Sequence, residues 1–329
     1  MILENSFYVL IGLILLAWSA DKLVLYAVSM AKHLKVSPFL IGIVIIGFGT
    51  SAPEMLVSAF AALDNVGGLA VGNALGSNIA NIALVLGFAA LFSPIIISKK
   101  VLKKDITVLF LITFLTIILL IDNQLTTLDG IILFLCLFAY LAWSAISDKK
   151  DNATEQEQNQ EQKDDEFDLN SAPEISLGKS SLWTLINLII LLGSSKVLLI
   201  GAIGISTALG ISDLMIGLTV VAIGTSMPEL AASIAAAKQK QTGLIIGNIL
   251  GSNAFNTLGV LGIVGILSDT SVGPEVLQRD FVVLVAIMLL LTAFAFVYGK
   301  LSKTSAGILL CAYFSYLSFL IYNALQLAA

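Results

Sequence analysis

Glu54 and Glu229 are expected to sit deeper inside long apolar stretches than any other acid of this chain, and each stands in the same short phrase. Gly49-Thr50-Ser51-Ala52-Pro53-Glu54 returns 175 residues later as Gly224-Thr225-Ser226-Met227-Pro228-Glu229. On insertion scales a charge at the centre of a membrane helix costs about 2.5–3.5 kcal/mol, so an acid kept there points to function. Thr50, Glu54 and Ser58 follow i, i+4, i+8 and share one helix face, as do Thr225, Glu229 and Ser233. Asn73, Ser77 and Asn81 repeat that rhythm on the next stretch, matched by Asn248, Ser252 and Asn256. Proline lacks an N–H and clashes with the carbonyl four residues earlier, so Pro53 should release the carbonyl of Gly49, and Pro228 that of Gly224. Freed backbone of this kind survives at membrane depth only where protein or a polar cavity satisfies it. Carboxylate, carbonyl, hydroxyl and amide oxygens, with no His or Cys among them, suit Ca²⁺ or Na⁺ and suit zinc or copper poorly. Two carboxylates carry a charge that one Ca²⁺ or two Na⁺ would neutralise.

The elements that must position these groups repeat with them. Gly72-Asn73 returns as Gly247-Asn248, Gly76-Ser77-Asn78 as Gly251-Ser252-Asn253, and Val85-Leu86-Gly87 as Val260-Leu261-Gly262. Aligned without a gap, 41–87 and 216–262 share 22 of 47 residues, which is a duplication. A kinked helix with a hydrogen-bonded acid would account for one copy, and Gly/Ser/Asn stripes also serve close helix packing. Gly42, Gly72, Gly76, Gly217, Gly247 and Gly251 are read that way. Two copies, each keeping its own intramembrane acid, favour an ion site.

With 58% hydrophobic and 12% charged residues and a mean hydropathy of +0.99, the composition is that of an integral membrane protein. Apolar runs of about 20 residues each span some 30 Å of hydrocarbon as helices. The pattern predicts an all-α integral membrane fold with ten helices near 7–32, 38–62, 68–91, 106–121, 128–146, 182–209, 214–237, 243–267, 281–298 and 306–326. Five spans per copy means that the second copy enters from the opposite side, giving two inverted five-helix repeats, a secondary-transporter signature. The expected divisions are 1–147 for the first repeat, 148–178 for an acidic cytoplasmic linker and 179–329 for the second. Fourteen of the sixteen lysines fall on one side of this layout and Arg279 alone on the other, which predicts both termini outside the cell membrane and the linker inside.

The net charge of −5 is local, since nine of the 22 acids lie between Asp151 and Glu174. That stretch, polar from Asp148 to Pro173, reads as a disordered linker. It lacks the Asp-x-Asp-x-Asp-Gly loop of a calcium sensor. No basic groove suggests nucleic acid, and no cofactor is expected. Cys136 and Cys311, also 175 apart, read as buried packing residues. Asp21-Lys22 and Lys196 are placed toward the outer ends of their helices, as an internal pair or as snorkelling side chains. His33 reads as interfacial, and Asp105 and Asp280 as acids opening helices, where they complement the N-terminal dipole.

The doubled Gly-Thr-Ser-x-Pro-Glu, each followed 23 residues after its Glu by the Ser of Gly-Ser-Asn-x-x-Asn, resembles the α-repeats of the sodium/calcium exchanger family of cation/calcium antiporters. The resemblance spans the whole ten-helix layout. It implies exchange of Na⁺ for Ca²⁺ by alternating access, with ion ligands at Thr50, Ser51, Glu54, Ser77 and Asn81 and at Thr225, Ser226, Glu229, Ser252 and Asn256. The carbonyls of Gly49 and Gly224 join them from the proline reading above. Some members carry Asp at one of the positions occupied here by Asn81 and Asn256, so this cage has two formal charges. A Ca²⁺/H⁺ or K⁺-dependent exchanger on the same fold is the nearest alternative, a cation channel one of another class, and a non-transporting scaffold a third.

Overall fold

In a computed structural model of the chain, residues 2–64, 67–157, 175–210 and 222–328 are described. Ten helical elements follow in order: α1 Ile2–Leu34, α2 Pro38–Leu63, α3 Gly67–Phe92, α4 99–119, α5 Thr127–Glu157, α6 Leu177–Ala208, α7 222–238, α8 Thr242–Leu267, α9 Val276–Tyr298 and α10 Lys303–Ala328. Among the described residues eight of these are long and apolar enough to cross a membrane. The other two are α4, whose apolar part is Thr107–Leu119, and α7, whose expected first turns (214–221) lie outside the described residues.

The architecture is layered by burial. Most of the spanning windows of α8 (89%) and α3 (78%) are buried, against less than a third of those of α5, α6 and α10, so α3 and α8 form the centre. The crossing of α2 on α8 depends on two glycines. A Cβ at Gly42 would stand 2.8 Å from the Leu244 carbonyl oxygen, and one at Gly247 would run into the Phe39 carbonyl. Outside this core α1 and α6 run antiparallel along each other, with Tyr26 stacked on Trp183 at 5.9 Å and Gly12 against Leu198.

Two short strand pairs show the inversion directly. β1 (Ile95–Ile96), after α3, pairs with β4 (Lys300–Leu301), after α9. β2 (Gln124–Leu125), after α4, pairs with β3 (Thr270–Ser271), after α8. The 175-residue offset carries Ile95 to Thr270 and Leu125 to Lys300, so matched loops of the two repeats lie on opposite faces. Thr113 and Met288, themselves 175 apart, meet at 3.7 Å where the halves join.

Several expectations change. α5 does not stop at 146 but continues helically to Glu157, well into the acidic segment, because Asp148–Glu157 contains no Gly or Pro to end it. Asp148 accepts hydrogen bonds from the Ser37 N–H (3.1 Å) and hydroxyl, tying α5 to the start of α2. The rest of the expected linker, 158–174, lies outside the described residues. Both cysteines are free, but Cys311 is exposed on the outer surface and Cys136 half-buried, since α10 turns that face outward. α4 begins at Lys99 and α9 at Val276, so Asp105 and Asp280 do not open helices. Each lies buried in a π-turn, Leu102–Ile106 and Val276–Asp280. Asp280 accepts from Arg279 Nε (2.7 Å) and the Tyr316 hydroxyl (2.7 Å), an ion pair where a dipole contact was expected. Asp21 is not near an outer end either: it meets Gln239, between Lys238 and Lys240 on the lysine-rich side. His33 contacts the Ile175 carbonyl at the end of α1.

Candidate cation-binding site

The two motif helices bring their polar faces to the centre of the bundle. Thr50, Ser51, Glu54 and Ser58 of α2 are at most 1% exposed, as are Ser226, Glu229 and Ser233 of α7. Ser77 and Asn81 of α3 and Ser252 and Asn256 of α8 are buried with them, while Thr225 is half-buried. The two carboxylates lie close enough to interact with each other, one from each repeat. π-turns at Asn81–Val85 and Phe255–Val260 begin at or beside the two matched asparagines. Such one-turn widenings of a helix concentrate at functional positions because they re-aim side chains.

Hydrogen bonds sort the polar residues into two groups. In the first, Thr50 Oγ1 donates to the Ile46 carbonyl (3.0 Å) and stands 3.4 Å from Asn248 Oδ1 and 3.5 Å from Ser252 Oγ. Ser252 in turn reaches the Gly47 carbonyl at 3.4 Å, so α2 of one repeat is joined to α8 of the other. The Asn73 amide donates to Ser58 (3.2 Å) and that of Asn248 to Ser233 (3.1 Å), the same brace in each repeat. These asparagines and outer serines therefore hold helices together, although their spacing had placed them on the site's stripes.

The second group has no such partners. Ser51 Oγ, Ser226 Oγ, both oxygens of Glu54 and of Glu229, and both amide atoms of Asn81 and Asn256 are buried and make no hydrogen bond. The Thr50 hydroxyl interacts with Glu229 without a hydrogen bond of full geometry. Native proteins leave very few buried polar groups unpaired, so a cluster of them around two carboxylates calls for a ligand. The oxygen donors converging there are those of a site for a hard cation.

The two prolines do different things. α2 stays helical through Pro53 as part of Phe48–Leu63. α7 breaks at Ser226 (φ −87°, ψ 5°) between Ala222–Thr225 and Met227–Lys238. The Gly224 carbonyl accepts from Ser195 Oγ of α6 at 3.2 Å. α6 covers both motifs: a Cβ on Gly49 would strike Leu188, and one on Gly224 would strike Leu199. Ser195 escaped the sequence reading because its counterpart in α1 is Ala20, and repeat logic looks only for shared letters. Thr184 and Asn187, buried on the same face of α6 with unpaired oxygens, escaped for the same reason, their counterparts being Val9 and Gly12. Asn78 was hidden differently. Its amide crosses to Thr257 Oγ1 at 2.7 Å, whereas the matched Asn253 turns to its own Ile249 carbonyl.

Comparison with known proteins agrees with this geometry. The profile of the sodium/calcium exchanger protein family matches twice, over residues 5–146 and 179–322. The chain belongs to the sodium/calcium exchanger family. It is thus a multi-pass membrane transporter rather than an enzyme. CaxA of Alkalimonas amylolytica is 39% identical over 323 residues, 95% of this chain and 98% of that one. The sodium/calcium exchanger MaX1 of Methanosarcina acetivorans is 28% identical over 98% of this chain and its own full length. A structure of the sodium-calcium exchanger NCX_Mj soaked with Na⁺ and Sr²⁺ superposes with a TM-score of 0.82, at 34% identity, over 97% of this chain and 99% of that one.

Proposed function

We propose that this exchanger moves Ca²⁺ against Na⁺ through one central cage. Its ligands are Thr50, Ser51, Glu54, Ser77 and Asn81 with Thr225, Ser226, Glu229, Ser252 and Asn256, aided by the carbonyls of Gly49 and Gly224. The observation that carries the reading is the pair of buried glutamates, one from each repeat and close enough to interact, whose oxygens make no hydrogen bond of full geometry. Likeness to MaX1 and NCX_Mj, both named as sodium–calcium exchangers, supports the choice of ions.

Two like charges in a low-dielectric interior repel strongly, so the empty cage resists passage through a closed state. One Ca²⁺ or two Na⁺ removes that repulsion. Return without a counter-ion is therefore slow, and exchange is obligatory. Alternating access has α1 and α6 shift across the core to uncover the cage on either side. The same reading puts both termini outside and 148–178 in the cytoplasm as a linker between repeats 1–147 and 179–329.

The test is ⁴⁵Ca²⁺ uptake into proteoliposomes loaded with Na⁺ or with choline at equal pH. Uptake from Na⁺-loaded vesicles alone, lost in Glu54→Gln and in Glu229→Gln, is expected. Uptake indifferent to Na⁺ but driven by an imposed pH gradient would replace Na⁺ by H⁺ as the coupling ion.

A further inference from the structure

Gln239 closes α7, and its side-chain amide donates to both the carbonyl (3.0 Å) and the carboxylate (2.8 Å) of Asp21 in α1. The 175-residue offset maps this contact onto a second pair, since Gln239 corresponds to Asp64 and Asp21 to Lys196. The correspondence extends to backbone shape. Asp64 caps α2 at φ −81°, ψ 7°, and Gln239 caps α7 at φ −88°, ψ 7°. Asp64 and Lys196 nevertheless stand apart. Both are exposed, and among the described residues neither side chain makes a hydrogen bond or an ion pair.

Helix packing shows the same imbalance. α1 lies closely along α7, while the matched contact of α6 with α2 is slight. The two pairs also sit on opposite faces. Gln239 adjoins Lys238, whose ammonium lies over the Phe92 ring on the β1–β4 side. Asp64 precedes Gly67, which packs on Thr270 on the β2–β3 side.

We propose that Asp21–Gln239 and Lys196–Asp64 are alternative latches, one for each end position of the α1–α6 pair. α1 and α6 are packed along their whole length and shift as one body, so closing one latch opens the other. In the state described here the lysine-rich face is latched and the opposite face released. The residues are positioning groups, remote from the cage, and the proposal rests on the alternating-access reading above. The latches differ in kind, an ion with an amide on one face and two opposite charges on the other. The released latch is thus the stronger in charge, and the two end states are not of equal energy.

The experiment uses two double-cysteine variants of the full chain, each in a Cys136→Ser, Cys311→Ser background: Asp21→Cys with Gln239→Cys, and Asp64→Cys with Lys196→Cys. Oxidation should cross-link the first pair in the resting protein. It should cross-link the second only while Na⁺ and Ca²⁺ gradients drive turnover, and either bridge should stop ⁴⁵Ca²⁺ uptake until reduced. In parallel, Asp64→Lys and Lys196→Asp should each lower the maximal exchange rate by up to about fivefold, the upper end for one exposed ion pair, with KM for Ca²⁺ unchanged. The double exchange of charges should restore the rate. Failure of the second pair to cross-link during turnover, bridges that leave uptake intact, or additive charge variants would each overturn the latch. Wild-type uptake in the same vesicles isolates failure of the exchange reading itself, since resting cross-linking of Asp21→Cys and Gln239→Cys depends only on geometry.

Discussion

The two copies of Gly-Thr-Ser-x-Pro-Glu differ in one residue, Ala52 against Met227, and yet take different shapes. The first runs as unbroken helix through Pro53, with Thr50 turned onto α8. The second breaks at Ser226, and its Gly224 carbonyl leans on Ser195. Local sequence therefore does not decide the form of a motif that has two ways to satisfy the carbonyl its proline exposes. The neighbour decides, and it treats the two motifs unequally: α6 turns the Ser195 hydroxyl to the Gly224 carbonyl but only the Leu188 side chain to Gly49. A duplicated transporter needs such inequality, because at any instant its two halves present different faces to the ion.

The comparison can be broken most severely at the carboxylates. If the halves contribute equally to one cage, Glu54→Gln and Glu229→Gln should each lower Ca²⁺ uptake by about 100-fold or more. Outer-shell changes at metal sites already cost 10–100-fold, and these are direct ligands. A large loss from only one of them would mean that one repeat alone binds Ca²⁺. Next in size is Gly42→Ala, which forces a methyl against backbone where α2 crosses α8 and should destabilise the protein by about 1–3 kcal/mol. Gly178→Ala, with nothing within 4 Å of its Cβ, should leave thermal unfolding in detergent unchanged.

Thr257→Ile sharpens the comparison by making the second repeat match Ile82 of the first. Asn78 would then lose its bond across the repeats, costing about 1 kcal/mol in the same unfolding measurement unless it turns inward as Asn253 does. A comparably small effect is expected from Ser195→Ala, about 0.5–1.5 kcal/mol for the lost bond to Gly224, read as a change in exchange rate with little change in ion affinity. An unchanged rate would show that the broken helix owes nothing to α6.

Much of this was legible in the letters. Apolar length marked the spans, the odd helix count per copy marked the inversion, and intramembrane charge marked Glu54 and Glu229. Spacing was less faithful. It placed Asn73 and Ser77 on one stripe, but Asn73 bonds to Ser58 and braces α2 against α3, while Ser77 lies buried in the bundle. Periodicity reports which face a residue occupies and not which partner it meets there. Ser195, Thr184 and Asn187 were invisible because duplication reveals what the halves share, and these residues carry what they do not. The continuation of α5 to Glu157 was missed because loss of hydrophobicity marks the edge of the bilayer rather than the end of a helix.

The strand pairs that display the inversion also set a timetable for biosynthesis. β1 finds its partner 206 residues later, between Ile95 and Leu301. At about 5–20 residues per second, a ribosome needs roughly 10–40 s to deliver β4 after β1 has emerged. Throughout that interval the first repeat carries one loop edge unpaired while α4 and α5 are still being added, and long-range pairing of this kind is slow in any case. The first repeat is born first but finished last, so a chain truncated before β4 would leave both halves incomplete.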